Sequence, residues 1–303
     1  MKFQVQIIGA SAGTPTLTRN VSCQVVMYEN YSYMLDAGEG AQTNFQKYNV
    51  RKNRIRVIAI SHLHGDHVFG LIPLLCSFSM EKRQEKLFLI GPVELKEYVE
   101  TNLRLSYSYI TYPIEYIITN TNTYAPVYED KYMTIYTLPL IHNVPCNGYL
   151  LVEKPRLPSI LVDKISLYNL DYEDIKKIKQ GEDYTTTTHE IIPNIELISP
   201  NYQRSYAYCS DTAYNESIIP MIEEVDWLYH EATWLHAVRI GKDTSPHSSA
   251  KEAAIIADKA NVKNLIIGHF SPRYSDLEPL LEEAKSVFPS SYLAIEGTIF
   301  TIN

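Results

Sequence analysis

The sequence has little of what marks secreted, membrane-spanning or generally basic proteins. Its four cysteines are widely spaced over 303 residues and form no Cys-x-x-Cys pair, which favours reduced thiols over a disulfide framework. No apolar run approaches the roughly 18 residues that a bilayer crossing needs, and the first residues lack the apolar block of a signal peptide. A net charge of −8 gives no general attraction to nucleic acid. These absences predict a cytoplasmic protein without a membrane partner, in which only local basic groups hold a polyanion.

What the sequence does contain is enough apolar material, 45% of the residues, for a sizeable core. Strand-like runs alternate with helical segments, and the helices are too few to cover a doubly wound sheet. This pattern predicts an α+β fold, a four-layer αββα sandwich of two mixed β-sheets in a single domain over residues 1–303. The predicted strands cover 3–9, 22–28, 33–36, 56–61, 87–91, 133–138, 148–153, 205–210, 227–230, 265–268 and 292–295. The predicted helices cover 67–80, 93–105, 248–261 and 276–287, and Ser248 is the predicted cap of the third.

One stretch, residues 154–202, differs from the rest of the chain. It holds four prolines, a helical run at 171–180 and a polar run at 184–189. We therefore predict that this stretch is an inserted arm that protrudes from the sandwich and contributes nothing to its core sheets.

The most informative segment is a histidine motif directly after an apolar strand. It reads His62-Leu63-His64-Gly65-Asp66-His67. Imidazole nitrogens and carboxylate oxygens suit zinc. Four potential ligands within six residues are too many for one metal that keeps an open position, so the motif predicts two adjacent metals. The alternative, a surface histidine cluster without metal, is disfavoured by the position of the motif after a buried strand.

Other polar residues stand at or just past the ends of predicted strands. They are His142, His230, His269 and Asp211. Taken singly, each is as easily a hydrogen-bonded structural residue as a ligand. Because strand ends bring distant parts of a chain to one edge of a sheet, together they predict a shared site. His142 and His269 can complete two coordination shells, and Asp211 can bridge them.

Five further segments are short and rich in polar residues. They are residues 9–20, which end in Arg-Asn, residues 36–42, which read Asp-Ala-Gly-Glu-Gly-Ala-Gln, the His-Glu-Ala-Thr run 230–233, the His-Ser-Ser-Ala run 247–250, and the His-Phe-Ser-Pro-Arg-Tyr run 269–274. With the histidine motif, they make the chain resemble the metallo-β-lactamase superfamily and, within it, the ribonuclease Z family of tRNA 3′-processing endoribonucleases. The resemblance covers nearly the whole chain.

The resemblance implies a metal centre with two Zn²⁺ per chain, with Mn²⁺ as the alternative metal. One ion would be held by three histidines, and the other by two histidines and a carboxylate, with one aspartate bridging. The implied ligands are His62, His64 and His142 for the first ion, Asp66, His67 and His269 for the second, and Asp211 for the bridge. Two zinc ions would lower the pKa of a water that they share.

Three further roles concern proton transfer and ligand orientation. Asp66 is the candidate general base, and His247 is the candidate donor of a proton to the leaving 3′-oxygen, oriented by Glu231 or His230. The reversed assignment, with Glu231 as the key acid, stays open. Asp36 is expected to orient a ligand histidine by a hydrogen bond.

The RNA contacts that the resemblance implies are of two kinds. Near the scissile bond, Arg19, Asn20 and Arg273 would contact phosphates, although a solvated surface arginine is the alternative interpretation. The run 47–56 carries five basic residues, which track an RNA backbone or simply face solvent. On the arm, the implied tRNA-binding lysines are Lys176, Lys177 and Lys179. The arm lacks the Gly-Pro pair common in the family, and its acidic side chains outnumber the basic ones.

The leading hypothesis is therefore a zinc endoribonuclease that removes 3′ trailers from tRNA precursors, leaving a 3′-hydroxyl on the tRNA and a 5′-phosphate on the trailer. The family resemblance also implies a homodimer. One alternative is another hydrolase on the same fold, either a small phosphodiesterase or an arylsulfatase-like enzyme. A second alternative, from another class, is a metal-free RNA-binding protein.

Overall fold

The computed structural model describes residues 2–199, 202–240 and 246–303. Contacts divide the chain into two compact units, Met1–Val152 with Arg204–Asn303, and Glu153–Gln203. Pro200 and Asn201, which belong to the predicted arm, lie outside the described residues. In the described part of the chain, no helix combines the length and the apolar character that a bilayer crossing requires.

Within the described residues there are sixteen strands, numbered in chain order: β1 Phe3–Gly9, β2 Cys23–Tyr28, β3 Tyr31–Leu35, β4 Ile55–Ala59, β5 Leu87–Gly91, β6 Ile114–Ile118, β7 Pro126–Glu129, β8 Met133–Pro139, β9 Asn147–Glu153, β10 Tyr184–Thr185, β11 Ile191–Ile192, β12 Ser205–Cys209, β13 Trp227–Glu231, β14 Asn264–Gly268, β15 Ser291–Leu293 and β16 Ile299–Thr301. The α-helices in the same residues are α1 Ala41–Lys47, α2 Gly65–Val68, α3 Leu71–Met80, α4 Leu95–Leu105, α5 Val162–Tyr168, α6 Tyr172–Lys179, α7 His236–Ile240, α8 Ala250–Lys259 and α9 Glu278–Lys285.

Two mixed seven-stranded sheets form the larger unit. The first has the order β16-β1-β2-β3-β4-β5-β6, and the second has the order β15-β14-β13-β12-β9-β8-β7. In the first sheet β1 to β3 pair antiparallel and β3 to β6 pair parallel. In the second sheet β12 to β15 are parallel, and β9 is antiparallel to β12. The predicted α+β fold with two mixed sheets is confirmed.

The burial pattern of β4 shows how the layers are arranged. Val57 and Ala59 pack in the core cluster that also contains residues of the second sheet, such as Tyr206. Ile58, on the opposite face of the strand, packs in a separate cluster with Leu71 and other residues of α3. Successive side chains of a strand point to opposite faces, so the first sheet has the second sheet on one side and helices on the other. On the second sheet, α8 and α9 contact β13, β14 and β15, which gives the four-layer αββα sandwich.

Two predicted helix boundaries were wrong, and some strands were not predicted. The helix predicted at 67–80 is divided into α2 and α3 around Gly70, where a Cβ atom would lie 2.0 Å from the carbonyl oxygen of Gly38. The cap of α8 is Ser249 and not Ser248, and it forms a capping box with Glu252. The sequence pattern did not predict the partly exposed strands β6, β7 and β16, because they lack a clear apolar alternation.

The smaller unit, Glu153–Gln203, has its own small core. Its helices are α5 and α6, and its hairpin β10–β11 forms a separate two-stranded sheet. The apolar side chains that pack together are Ile160, Leu170, Ile178, Ile192 and Leu197. Asp171 caps α6 by accepting a hydrogen bond from the Asp174 backbone at 2.8 Å, and the Asp174 side chain accepts one in return.

Candidate metal centre and active site

The first cluster of candidate ligands lies at the end of β4. His62 Nε2 is 3.0 Å from His64 Nδ1, and His64 Nδ1 is 3.2 Å from His142 Nε2. Oδ2 of Asp211 is 3.7 Å from the Nε2 atoms of both His62 and His142. The four side chains thus direct one ligand atom each to a common point.

The second cluster uses the other oxygen of the same aspartate. Oδ1 of Asp211 lies 3.2 Å from His67 Nε2 and 3.1 Å from His269 Nε2. Oδ2 of Asp66 lies 3.4 Å from each of these two nitrogens. Asp211 therefore presents one carboxylate oxygen to each cluster, and together the clusters contain all seven ligands that the family resemblance implied.

These donor sets fit divalent metals. Ligand atoms about 2.0 to 2.2 Å from a tetrahedral zinc ion are about 3.3 to 3.6 Å apart, which is close to the 3.1 to 3.4 Å spacings of the second cluster. His67 Nε2 is buried without a hydrogen-bond partner among the described residues, and an unpaired buried ring nitrogen is costly unless a metal ion or another group binds it. The clusters form a candidate divalent-metal site.

Asp36 joins the histidine motif to strand β12. It is fully buried, and its Oδ2 accepts hydrogen bonds from Ser61 Oγ, His67 Nδ1 and Tyr208 Oη at 2.9, 2.7 and 2.7 Å. Its Oδ1 accepts the backbone N–H of Ser61 at 2.7 Å. Because Nδ1 of His67 carries the proton donated to Asp36, Nε2 is left as the metal-binding nitrogen. The sequence predicted the hydrogen bond to a ligand histidine but gave no sign of the partners Ser61 and Tyr208.

A second hydrogen-bonded group surrounds Glu231, at the end of β13. Nδ1 of His247 lies 2.8 Å from Glu231 Oε1. Thr233 Oγ1 lies 2.6 Å from Glu231 Oε2 and 3.0 Å from His269 Nδ1. Thr233 therefore links Glu231, the partner of His247, to the candidate metal ligand His269. The only signal for Thr233 in the sequence was its place in the His-Glu-Ala-Thr run.

His230 does not join the site. Its Nδ1 lies 2.8 Å from the backbone oxygen of Glu231, and its ring belongs to none of the ligand clusters found among the described residues. Adjacent strand residues point to opposite faces of a sheet, so only one of His230 and Glu231 faces the ligand clusters. The structure selects Glu231 as the partner of His247 and leaves His230 out.

Burial lowers the pKa values of the buried histidines at this site, and neighbouring carboxylates raise them. Burial lowers the pKa of His62 to about 2, and the neighbouring His67 adds to the effect, so the ring is a neutral ligand. Burial would also lower the pKa of His247, but the carboxylates of Glu231 and Asp211 outweigh it and raise that pKa to about 9. His247 is therefore protonated at neutral pH, and 19% of its side chain remains exposed.

An open cleft of about 300 Å³ gives access to both clusters. Its lining includes His64, Asp66, Asp211, His247 and His269. The cleft walls also contain Gly13, whose backbone N–H donates to Asp66 Oδ2 at 2.7 Å.

The residues predicted to contact RNA have different surroundings. Arg19 donates to the Ser271 carbonyl at 3.4 Å, and Arg273 stacks on the Trp234 ring at 4.4 Å. Asn20 instead pairs with Glu296. In the basic run 47–56, Lys52 and Arg56 form ion pairs with Glu81 and Glu85. On α6, Lys176 and Lys177 are exposed and Lys179 is partly exposed.

Comparison with solved structures defines the class of fold. Human tRNase Z, short form, superposes with a TM-score of 0.72 at 22% identity over 99% of both chains. A metallo-β-lactamase fold protein from Bacillus subtilis superposes with a TM-score of 0.69 at 20% identity, over 99% of this chain and all of the other. A family model described as Anti-Pycsar protein Apyc1 matches residues 3–138. The chain has the metallo-β-lactamase fold.

Sequence similarity then identifies the family. A ribonuclease Z from Parabacteroides distasonis is 39% identical over 296 residues, which is 97% of each chain. A ribonuclease Z from Porphyromonas gingivalis is 40% identical over 295 residues, again 97% of each chain. The chain belongs to the ribonuclease Z family, and the resemblance predicted from the motifs is confirmed.

Proposed function

We propose that this protein is a metal-dependent endoribonuclease that removes 3′ trailers from tRNA precursors. The observation that carries the proposal is the pair of ligand clusters joined by Asp211, beside the hydrogen-bonded pair His247–Glu231, in a member of the ribonuclease Z family. The products would be a tRNA with a 3′-hydroxyl and a trailer with a 5′-phosphate.

Two Zn²⁺ ions are the metals that the donor atoms fit best. His62, His64 and His142 would hold one ion, Asp66, His67 and His269 the other, and Asp211 both. When bound, the metals would supply Lewis acidity toward the scissile phosphate and lower the pKa of an attacking water. Mn²⁺ is the alternative, because it also takes nitrogen and oxygen ligands.

Proton transfers belong to two side chains on either side of the cleft. Burial would raise the pKa of Asp66, but the adjacent imidazoles of His269 and His67 outweigh it and hold that pKa below its usual range. Asp66 is therefore ionised at neutral pH, as a proton acceptor must be, and the Gly13 N–H fixes its orientation. As the proposed general base it would take the proton of the attacking water. His247 donates a proton to the leaving 3′-oxygen, and Glu231 holds its ring in place. Glu231 is fully buried and ionised, which favours an orienting role over that of the acid.

Binding of the RNA is assigned to arginines near the cleft and to the smaller unit. Arg19 and Arg273 are anchored beside Ser271, which lines the cleft, and their planar guanidinium groups suit phosphates. Glu153–Gln203 would grip the body of the tRNA through Lys176, Lys177 and Lys179. The homodimer stays a prediction of the family resemblance, and the cytoplasmic location stays a prediction from the spacing of the cysteines and the composition of the first residues.

The direct test is incubation of the zinc-loaded protein with a 3′-extended tRNA transcript, followed by mapping of the cut at single-nucleotide resolution. We expect one cut at the trailer boundary, a 3′-hydroxyl on the tRNA and a 5′-phosphate on the trailer. A matched transcript with a disrupted acceptor stem should be cut poorly. Hydrolysis of small phosphodiesters without cleavage of either transcript would favour a small phosphodiesterase instead, and equal cleavage of both transcripts would contradict specificity for tRNA precursors.

A further inference from the structure

Asn20 joins the two ends of a loop next to the candidate metal centre, whose residues 10 and 12 also bond to the backbone of Phe270. The backbone oxygen of Asn20 accepts the N–H groups of Ala10 and Ser11 at 2.9 and 2.8 Å. Residues 12–19 lie between these points. The second of them, Gly13, donates its backbone N–H to the candidate base Asp66 at 2.7 Å. We call residues 10–20 the cleft loop. Asn20 thus fixes the two ends of the cleft loop to each other.

The other groups of Asn20 pair with a carboxylate far along the chain. Its backbone N–H donates to Glu296 Oε1, and its side-chain Nδ2 donates to Glu296 Oε2 at 2.8 Å. The hydroxyl of Tyr48, at the end of α1, donates to the same Oε2 at 3.1 Å. Glu296 itself is fixed because the N–H of the next residue, Gly297, donates to Ile7 of β1 at 2.8 Å. One partly buried carboxylate therefore accepts three hydrogen bonds from two separate segments.

Arg19, the neighbour of Asn20, is in a different position. Its backbone bonds to Thr16, and its guanidinium makes one long hydrogen bond, 3.4 Å, to the Ser271 carbonyl among the described residues. Its Nε has no hydrogen-bond partner among the described residues. Donors of a guanidinium that remain unused suit a phosphate, whereas the Nδ2 of Asn20 is already directed at a carboxylate, which would repel a phosphate close to it.

We infer that Glu296 is a positioning residue, and that Asn20 anchors the cleft loop to it and does not contact the substrate. Of the Arg-Asn pair, only Arg19 is then left to contact a phosphate, and the Glu296–Asn20–Tyr48 anchor fixes the position of its backbone. The anchor also keeps Gly13 against Asp66. This inference rests on the proposed function for its kinetic consequence, but the anchor itself is a property of the fold.

The test uses a donor–acceptor exchange in the full-length protein. Glu296→Gln alone removes the negative charge and requires the Asn20 amide to turn over and the Tyr48 hydroxyl to accept. Asn20→Asp alone places two carboxylates together. In the double variant, the amide nitrogen of the new glutamine can donate to the new carboxylate at position 20 and to the Tyr48 oxygen, while the amide oxygen accepts the backbone N–H. We expect each single variant to raise KM for a 3′-extended tRNA about 5- to 50-fold with a smaller effect on kcat. The exchange should bring KM back to within about threefold of the wild-type value.

A direct phosphate contact by Asn20 gives the opposite result. The acidic side chain at position 20 would then repel the substrate in both the single and the double variant, so absence of rescue would overturn the inference. Thr301→Ala is the matched control, because it removes a hydrogen bond to Gln4 on the exposed side of the strand pair β1–β16 without touching the cleft loop. It should leave KM unchanged.

A second readout does not depend on catalysis. Amide hydrogen exchange of residues 10–20 should be slow in the wild type, faster in Glu296→Gln and slow again in the double variant. If exchange follows this pattern but the wild type cuts no tRNA precursor, the anchor stands and the proposed function fails. If exchange is the same in all variants, the anchor is wrong whatever the protein cleaves.

Discussion

The charged groups around the two ligand clusters are buried, whereas the lysines of helix α6 are exposed or partly exposed. Around the metal clusters, Asp36, His67 and Glu231 are completely buried, and each carboxylate accepts several hydrogen bonds. On α6, Lys176 and Lys177 are exposed, and the ion pair of Lys176 with Glu173 is a 3.8 Å surface contact. Buried charges without their partners are costly, whereas exposed pairs contribute little. We therefore expect single substitutions to abolish function in the first region and only graded, salt-dependent effects in the second.

The largest effect should follow loss of the shared ligand. Asp211→Ala removes the carboxylate that faces both clusters, so zinc content should fall and cleavage of a tRNA precursor should slow at least about a thousandfold. Metal analysis of the purified protein and single-turnover kinetics measure the two effects. Asp258→Ala, on the exposed side of α8, is the control and should change neither. Two zinc ions and near-normal turnover in Asp211→Ala would contradict the shared-ligand assignment.

His247→Ala should separate proton donation from metal binding. Because His247 is outside both proposed coordination shells, zinc content and RNA affinity should be retained while the cleavage rate falls by roughly 100- to 10,000-fold. Single-turnover rates at saturating enzyme test this directly. An unchanged rate would remove His247 from the mechanism and leave Glu231 as the acid.

Thr233→Val should have an intermediate effect. The substitution keeps the size of the side chain but removes the hydroxyl between Glu231 and His269, which orients a candidate ligand without binding metal. We expect zinc affinity or activity to fall about 10- to 100-fold. A chelator titration compares the affinities, and normal values would show that His269 is held by its backbone alone.

The smallest and most graded effect is expected on α6. Replacing Lys176, Lys177 and Lys179 by alanine should weaken binding of a tRNA precursor and flatten its salt dependence by up to about one unit of log–log slope for each phosphate that is no longer neutralised. Replacing Lys2, Lys96 and Lys285 removes the same charge from the larger unit. If both triple variants shift the slope equally, net charge and not the position of these lysines determines RNA affinity.

The same contrast shows what the sequence could predict. The grouping of the candidate ligands was predictable because histidines and aspartates at strand ends are seldom needed for packing, and the motif places four of them within six residues. Pairings between distant segments were not predictable. The pairing of Thr233 with His269, 36 residues away, and of Asn20 with Glu296, 276 residues away, depends on how strands come together. The sequence did not decide which of His230 and Glu231 orients His247. Both stand at the end of a strand, and only the direction of the pleat determines which one faces the ligand clusters.

Anomalous diffraction at the zinc edge can show whether the carboxylate of Asp211 joins two metal sites. Crystals of the zinc-saturated protein should show two anomalous peaks per chain. We expect one among His62, His64 and His142, the other among Asp66, His67 and His269, and Asp211 between them. A single peak, or two peaks of which one lies away from Asp211, would show that Asp211 is not shared by two metal ions.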